Sequence, residues 1–248
     1  MVKNKVTMTG HNFPECFGGR LPELVMFDLD GTLVDSVPDL TAAVDAMLVE
    51  QHCPVAGEDK VRLWVGNGAA ILVRRALADT DGIAESAVED SLHKASLKRF
   101  MHHYGRLSGH YSKLYPGVKQ ALQLLADAGV PMALVTNKPG EFVPHLLTDL
   151  GIHEYFDHWL GGDSLPQKKP DPAPLNHLLK KLKANPARSL MVGDSRSDMQ
   201  AGKAAGVPTL GVSYGYNHGK SIAEETPDWV ADNLADIFAE WMRPVADD

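Results

Sequence analysis

The chain has 248 residues, of which 44% are hydrophobic and 23% are charged, and its formal net charge is −8. This composition is typical of a globular protein with a sizeable core, and the acidic balance argues against nucleic acid as a partner. The two cysteines, Cys16 and Cys53, form neither a disulfide framework nor a zinc spacing, and no segment has the roughly 18–20 apolar residues of a membrane helix. We therefore expect a cytoplasmic protein without a nucleic-acid or membrane partner.

The first predicted elements are a tail, a strand and a helix. Residues 1–22 are polar and contain glycine, without the apolar run of a secretory signal, and are expected to form a loose tail. The apolar run 24–27 indicates a buried strand, and it ends at Asp28. Ser36 is predicted to be the N-cap of a helix whose apolar residues follow helical spacing over 37–48.

The segment that follows is predicted to be helical as far as Leu114, with amphipathic patterns over 69–79 and about 84–104. A strand–helix–strand crossover takes as few as about 10–12 residues. Here 106 positions separate Asp30 from Thr136, which is far more chain than one helix uses. The predicted organisation is therefore an N-terminal tail (1–22), a core domain (23–36 and 115–248) and an inserted helical domain (37–114).

Beyond Leu114, short apolar runs alternate with amphipathic helices. The runs predicted to be strands are 132–135, 159–160, 190–192, 209–212 and 229–230. This alternation is typical of a parallel sheet with helices on both faces. The predicted fold class is therefore α/β, a doubly wound parallel sheet of Rossmann-like type with an inserted helical cap.

Polar segments follow three of the predicted strands, and a fourth polar segment lies between the second and third of them. These segments are 28–32, 136–138, 168–172 and 193–198. In an open parallel sheet, ligands bind beyond the carboxyl ends of the strands. We therefore expect the four segments to converge on one crevice.

Four of the candidate residues in these segments are carboxylates, namely Asp28, Asp30, Asp194 and Asp198. Like charges held close together are costly, and a divalent cation relieves that cost. Ligands that are all oxygen suit Mg²⁺, which keeps several waters and is commonly shared with substrate phosphate. The sequence therefore predicts a magnesium site.

The remaining candidates suit a phosphate group. Lys169 and the Thr136 hydroxyl supply charge and hydrogen bonds to phosphate oxygens, with Lys168 as an alternative cation. Gly31 lets the backbone approach an anion closely. A carboxylate nucleophile such as Asp28 can attack phosphorus and split one difficult displacement into two easier ones.

These four motifs, in this order, resemble the haloacid dehalogenase superfamily of aspartyl phosphatases, and the likeness extends from Asp28 through Asp198. The resemblance implies that Asp28 is the nucleophile and a metal ligand. It also implies that Asp30 protonates the leaving alcohol and then activates water, while its backbone carbonyl binds the metal. Asp194 then corresponds to the third protein ligand of Mg²⁺.

The same resemblance assigns phosphate binding to Thr136 and Lys169, and it implies that Lys169 also neutralises charge around Asp28. Asn137 is a further candidate for phosphate binding. Asp198 is either another metal ligand, through water, or a partner of Lys169. An ordinary place at a helix N-terminus stays open for Asp198.

Asp30 and the inserted helices indicate a branch of the superfamily. Dehalogenases and phosphonate-cleaving relatives lack an aspartate two residues after the nucleophile, so Asp30 favours phosphomonoester chemistry. The insertion resembles the helical caps of phosphoglycolate phosphatases and β-phosphoglucomutases, which close over the substrate. The segments that look most like bacterial phosphoglycolate phosphatases are 28–36, 38–40, 62–68 and 213–219.

The predicted function is therefore Mg²⁺-dependent hydrolysis of a small phosphorylated metabolite, 2-phosphoglycolate, to glycolate and phosphate. The phosphate motifs leave open an amino-sugar or sugar phosphate, a nucleotide, pyrophosphate, a mutase of β-phosphoglucomutase type, or a catalytically silent module. A substrate carboxylate needs a cation, and Arg62, Arg74 and Arg75 are the candidates in the insertion, with Asn67 as a polar one. The sequence assigns no role to loop 214–219 and does not define an oligomeric state.

Overall fold

The computed structural model describes residues 7–8, 17 and 20–242 of the chain. The strands in these residues are β1 (Thr7–Met8), β2 (Leu24–Phe27), β3 (Val34–Asp35), β4 (Lys113–Leu114), β5 (Met132–Val135), β6 (His158–Leu160), β7 (Ser189–Gly193), β8 (Thr209–Val212) and β9 (Trp229–Ala231). The α-helices are α1 (Val37–Val49), α2 (Glu58–Trp64), α3 (Ala69–Asp81), α4 (Asp90–Leu107), α5 (Val118–Asp127), α6 (Val143–Asp149), α7 (Ala173–Leu182), α8 (Arg196–Ala205) and α9 (Leu234–Trp241).

Six strands form a parallel sheet in the order β9-β8-β7-β2-β5-β6. The central strand β2 is buried at all four of its residues, as expected for a strand covered on both faces. Its last residue, Phe27, pairs with Leu134 of β5 and Val192 of β7, so these strands end at the same edge of the sheet. The predicted α/β fold with a parallel sheet is confirmed.

Successive residues of a strand point to opposite faces of the sheet, so the apolar strands present hydrophobic side chains on both faces. Helices cover both of these faces. Val25 and Phe27 lie in the core shared with α5, α6 and α9. Leu24 and Met26 lie in the core shared with α7 and α8. The short apolar runs of the sequence therefore supply both halves of the core at once.

The helices α1 to α4 lie between β3 and β4 and have a hydrophobic core of their own, which includes Val44, Met47, Val73 and Phe100. β3 and β4 pair in antiparallel fashion, with Asp35 opposite Lys113, so the chain leaves the core and returns to it side by side. We call α1–α4 with their loops the insertion. That residues 37–114 form an independent domain stays a prediction.

The prediction that residues 36–114 are helical throughout is wrong in detail, because turns separate the helices and a short strand ends the segment. α3 ends at Asp81, because Gly82 adopts the left-handed conformation that terminates helices. α4 begins at Asp90, after a 3₁₀ turn at Glu85–Ala87, and the segment closes with strand β4. The pattern of apolar residues located the helices, but it did not resolve the turns between them.

Ser36 occupies the N-cap position of α1, but its hydroxyl makes no capping hydrogen bond and is buried without a partner. The first backbone N–H groups of the helix are satisfied from elsewhere in the chain. The Tyr216 hydroxyl accepts hydrogen bonds from the backbone N–H of Ser36, at 2.9 Å, and of Val37, at 3.2 Å. The sequence predicted that Ser36 caps this helix, but the hydroxyl of Tyr216, 180 positions away, accepts the hydrogen bonds instead.

The tail predicted at residues 1–22 is described by the structure only at residues 7–8, 17 and 20–22, and the rest of it lies outside the described residues. β1 pairs in antiparallel fashion with β9, and the Phe17 ring packs against Trp229 with centroids 6.1 Å apart. These described residues of the tail therefore pack on the core rather than being loose, and β1 forms the edge of the sheet beside β9. Across the described residues, no helix combines the length and apolarity that crossing a bilayer needs.

Candidate active site

Four residues predicted for the site lie together at the carboxyl edge of the sheet. Asp28 follows β2, Thr136 follows β5, and Asp194 follows β7. Lys169 comes from the loop between β6 and α7. All four side chains are buried, although each is polar or charged, so each needs a partner within the protein or in a ligand.

The Lys169 ammonium is held between two carboxylates. Its Nζ lies 2.8 Å from Oδ1 of Asp28 and 2.6 Å from Oδ1 of Asp198. The other oxygen of Asp198 accepts hydrogen bonds from the backbone N–H and the hydroxyl of Ser195, at 3.0 and 2.7 Å. Asp198 is thus fixed at the start of α8 and orients Lys169. Lys168, the alternative cation, instead donates to the backbone carbonyl of Asn67 in the insertion.

Three carboxylates form a cluster that suits a hard divalent cation. One oxygen of each of Asp28, Asp194 and Asp198 lies within 4.8 Å of the others, and all three residues are buried. Burial raises the pKa of Asp28 to about 7, although Lys169 opposes the shift. Burial, with the nearby Asp198 and Asp28, raises the pKa of Asp194 well above its ordinary value. A cation bound among these oxygens would relieve this repulsion, so the donor set fits Mg²⁺.

Asp194 is held in place by the segment that follows Asp28. The Thr32 hydroxyl donates a hydrogen bond of 3.1 Å to Oδ1 of Asp194. Gly31 has a φ of +91°, and a Cβ on it would lie 2.7 Å from Cγ of Asp194. The sequence led us to expect that this glycine makes room for an anion. In the structure the anion that fills this space is the Asp194 carboxylate.

The Asp30 side chain is not a member of the carboxylate cluster, and it pairs with Lys138. Lys138 Nζ lies 3.0 Å from Oδ1 and 3.3 Å from Oδ2 of Asp30, and it also donates to the hydroxyl of Tyr104 in α4. Burial by itself lowers the pKa of Lys138, but Asp30 and Tyr104 together outweigh it, and the net shift of the pKa is upward. Lys138 was not among the site residues that the sequence predicted. The available signal was a third polar residue at the end of β5, after Thr136 and Asn137.

Thr136 and Asn137 have different surroundings. The Thr136 hydroxyl faces the site and accepts a hydrogen bond of 3.1 Å from the backbone N–H of Lys138. The Asn137 amide donates to the carbonyl of Gly66 in the insertion, at 3.1 Å, and to the carbonyl of Lys169, at 3.0 Å. Asn137 therefore links the insertion to the loop that carries Lys169.

The insertion and the sheet edge enclose a cavity of about 460 Å³, a volume that includes its open mouth. Its polar lining consists of Asp28, Asp30, Tyr104, Thr136, Asn137 and Lys138. The insertion contributes glycine and apolar residues to the rest of the lining, Leu40, Val65, Leu72 and Phe100 among them. The cavity is thus polar at its floor and apolar on its opposite wall.

The loop 66–68 is where the insertion contacts the core next to the cavity. Asn67 Nδ2 donates to the Ser197 hydroxyl at 3.3 Å, and the Asn67 carbonyl accepts from Lys168 Nζ at 2.9 Å. Asn67 therefore fastens the insertion to the core. It is not one of the residues that line the cavity.

The three arginines considered for a substrate carboxylate are occupied elsewhere, and none of them lines the cavity. Arg62 pairs with Glu58 at 2.8 Å and lies over the Tyr216 ring. Arg74 donates to the Val88 carbonyl and Arg75 to the Trp64 carbonyl, both inside the insertion. The expectation that one of these arginines meets the substrate carboxylate has no support in their positions.

The loop 214–219, to which the sequence assigned no role, joins three parts of the molecule. The Tyr214 hydroxyl donates to the Thr32 carbonyl at 2.8 Å, and the backbone N–H of Tyr216 donates to Asp194 at 2.7 Å. Nδ1 of His218 lies 2.9 Å from the carbonyl of Leu63 in α2. The loop therefore connects the carboxylate cluster with the insertion.

A parallel α/β sheet, a helical insertion after the first site strand and acidic residues at the strand ends define a class of hydrolase. Residues 25–212 match the family model described as haloacid dehalogenase-like hydrolase, which is most of the chain. The chain belongs to this family.

Several known proteins are similar to this chain over nearly its whole length. A phosphoglycolate phosphatase of Pseudomonas syringae pv. syringae (strain B728a) is 53% identical over 226 residues, which cover 91% of this chain and 82% of that protein. One of Pseudomonas fluorescens (strain Pf0-1) is 55% identical over 235 residues, covering 95% and 85%. The crystal structure of a predicted phosphoglycolate phosphatase from Haemophilus somnus 129PT is similar with a TM-score of 0.84 and 41% identity, covering 90% and 99%.

Proposed function

We propose that this protein hydrolyses 2-phosphoglycolate to glycolate and phosphate, with Mg²⁺ and through a phospho-aspartate on Asp28. The names of relatives that are more than half identical support the substrate. The observation that carries the chemistry is the buried Asp28 carboxylate, paired with Lys169 at the floor of a cavity that also presents Asp30 and Thr136. A cytoplasmic location stays a prediction.

Asp28 is the nucleophile in this proposal. One of its carboxylate oxygens attacks phosphorus, and the bond between phosphorus and the ester oxygen of the substrate breaks. Lys169 and the Thr136 hydroxyl bind phosphate oxygens and stabilise the charge that develops on them. Lys169 has both its position and its charge fixed by Asp198, at 2.6 Å, so little reorganisation is needed during the reaction.

Asp30 is the acid and then the base. It gives a proton to the departing oxygen, which leaves as the hydroxyl of glycolate. In the second step Asp30 takes a proton from a water molecule, whose oxygen attacks the phosphorus of the phospho-aspartate. Inorganic phosphate departs, and the Asp28 carboxylate is regenerated.

The Asp28 and Asp194 side chains, with the Asp30 backbone carbonyl, would hold Mg²⁺. When bound, the ion neutralises charge on the phosphate and on the surrounding carboxylates. Asp198 acts through Lys169 in this proposal, because hydrogen bonds already engage both of its oxygens. The insertion covers the cavity and excludes water from the phospho-aspartate.

The test is Mg²⁺-dependent phosphate release from a panel of 2-phosphoglycolate, sugar and amino-sugar phosphates, nucleotides and pyrophosphate. Asp28→Asn should abolish release. Asp79→Asn is the matched control, because Asp79 is an exposed residue of α3 whose carboxylate pairs with Lys60. It should leave the rate unchanged.

The outcomes separate the chemistry from the substrate. Selective release from 2-phosphoglycolate that disappears in Asp28→Asn supports both. Selective release from another member of the panel keeps Asp28 as nucleophile and refutes 2-phosphoglycolate. Activity that requires a bisphosphate activator would identify a mutase instead. Undiminished release by Asp28→Asn would refute the mechanism.

A further inference from the structure

The charge in the cavity is distributed unevenly. On the side of the insertion, the Tyr104 hydroxyl is the polar side-chain group among the described lining residues, and the other lining side chains there are apolar. The charged side chains lie on the floor and are Asp28, Asp30 and Lys138. A second anionic group on a substrate, apart from the transferred phosphate, therefore meets one cation in the described lining, and that cation is Lys138.

The other cations near the cavity do not belong to its described lining, and each has partners elsewhere. Lys169 lies between the carboxylates of Asp28, the proposed nucleophile, and Asp198. Lys168 Nζ donates to the Asn67 carbonyl, at 2.9 Å. Arg62 pairs with Glu58, at 2.8 Å, and the two other arginines considered for this role donate to carbonyls within the insertion. Their positions leave the part of the cavity beyond the phosphate to Lys138.

Lys138 is held firmly at this point. Its side chain is 2% exposed, its Nζ lies 3.0 Å from Asp30 Oδ1, and it donates to the Tyr104 hydroxyl. The same Nζ lies 4.6 Å from the centre of the Tyr104 ring, and this ring is fixed by stacking on Phe100 and by an edge contact with Phe142. An ammonium group has three donors, and a hydrogen bond from it to a carboxylate is charge-assisted and therefore stronger than one between neutral groups.

We propose that Lys138, positioned by Tyr104, binds the carboxylate of the substrate and sets the preference for a phosphorylated carboxylic acid over a phosphate ester that has no carboxylate. The inference rests on the proposed function, because it takes Asp30 as the group next to the leaving oxygen. In 2-phosphoglycolate one methylene group separates that oxygen from the carboxylate. A cation in contact with Asp30 is therefore within reach of the carboxylate.

The test compares 2-phosphoglycolate with ethyl phosphate, in which a methyl group replaces the carboxylate. The measured quantity is the ratio of kcat/KM for the two substrates. Lys138→Met should lower this ratio by about 100-fold, because a buried charge-assisted hydrogen bond is lost with one substrate only. Tyr104→Phe should lower it by about 3-fold to 10-fold, because Lys138 loses one of the groups that orient it.

Lys60→Met is the matched control, with the same substitution at an exposed lysine of the insertion that pairs with Asp79 and does not line the cavity. It should leave the ratio unchanged. A binding measurement removes any contribution from the acid step: in an Asp28→Asn background, calorimetry should show that Lys138→Met weakens binding of 2-phosphoglycolate more than binding of ethyl phosphate.

The results distinguish this inference from the proposed function. If the wild-type enzyme shows no preference for 2-phosphoglycolate, both fail. If the preference exists and Lys138→Met lowers both kcat/KM values equally, Lys138 acts through Asp30 alone and only this inference fails. If circular dichroism shows that Lys138→Met does not fold, Tyr104→Phe decides, since an unchanged ratio in that variant overturns the inference.

Discussion

The backbone N–H of Tyr216 donates a hydrogen bond of 2.7 Å to Oδ2 of Asp194, a member of the carboxylate cluster. The Tyr216 side chain reaches the start of the insertion, where its hydroxyl accepts from the N–H groups of Ser36 and Val37 and donates to Asp35 at 2.7 Å. One residue of the loop after β8 thus contacts both the proposed metal site and the junction with the insertion. The junction depends on this contact, because Ser36 makes no cap of its own.

Tyr216→Phe should lower the free energy of unfolding by about 1–3 kcal/mol, because two N–H groups at a buried helix start lose their acceptor. Urea unfolding measures the change. Tyr111→Phe is the matched control, since Tyr111 is 57% exposed, and it should stay within about 0.5 kcal/mol of wild type. Equal effects of the two substitutions would show that the hydroxyl of Tyr216 does not stabilise the junction.

Protein stripped of divalent cations should lose stability as the pH rises from about 4 to about 7. Burial raises the pKa of Asp28 from 3.8 to about 7, with Lys169 opposing the shift, and burial also raises the pKa of Asp194. Between these values the folded protein binds more protons than the unfolded chain. The stability from this difference is complete below the unfolded pKa and is lost as the pH rises through the folded one.

Urea unfolding in the presence of a chelator, across this pH range, measures that loss. In Asp28→Asn, which has no titrating group at this position, the pH dependence should be smaller. Mg²⁺ should stabilise the wild-type protein more at high pH than at low pH, because protons compete for the same oxygens. A stabilisation by Mg²⁺ that does not vary with pH would contradict the proposed ligands.

Asp194→Asn and Asp198→Asn should separate metal binding from the orientation of Lys169. Oδ1 of Asp198 pairs with Lys169 and Oδ2 bonds to Ser195, so Asp198→Asn should change the Mg²⁺ affinity by less than about 3-fold while lowering kcat by about 10-fold to 100-fold. Asp194→Asn should weaken Mg²⁺ binding by more than about 10-fold. Calorimetric titration with Mg²⁺ and steady-state kinetics test the pair, and equal losses of Mg²⁺ affinity would identify Asp198 as a ligand.

The strand-end residues could be predicted from the sequence because their placement follows from the sheet. Apolar runs gave β2, β5 and β7, and parallel strands end at one edge, so Asp28, Thr136 and Asp194 had to lie near one another. The position of these polar residues directly after buried strands was therefore enough to predict that they share one site.

The partners of these groups could not be predicted, because they depend on the direction of single side chains. Asp30 pairs with Lys138, 108 positions away, and Asp35 with Tyr216, 181 positions away. The sequence pattern also did not show which face of each insertion helix points into the cavity. Only the packing shows that Arg75 donates to the Trp64 carbonyl and does not line the cavity.

Gly68→Ala should weaken substrate binding through the contact between the insertion and the core. Gly68 and Gly57 both precede a helix with nearly the same backbone conformation, φ 88° and ψ 165° against φ 77° and ψ 165°. A Cβ on Gly68 would lie 2.8 Å from the Asn137 carbonyl oxygen and 3.2 Å from Lys168 Nζ, whereas a Cβ on Gly57 meets nothing within 4 Å. Alanine at either position strains the backbone, by about 1–3 kcal/mol. Only at Gly68 must the insertion also move away from the core.

Gly57→Ala is therefore the control that carries the backbone strain without the collision. Both variants should lose similar stability in urea unfolding, while only Gly68→Ala should raise KM for 2-phosphoglycolate, by about 10-fold, because the cavity wall no longer meets its floor. A similar rise in KM for Gly57→Ala would assign the effect to strain in the insertion as a whole. An unchanged KM in Gly68→Ala would show that loop 66–68 can separate from Asn137 without affecting the substrate.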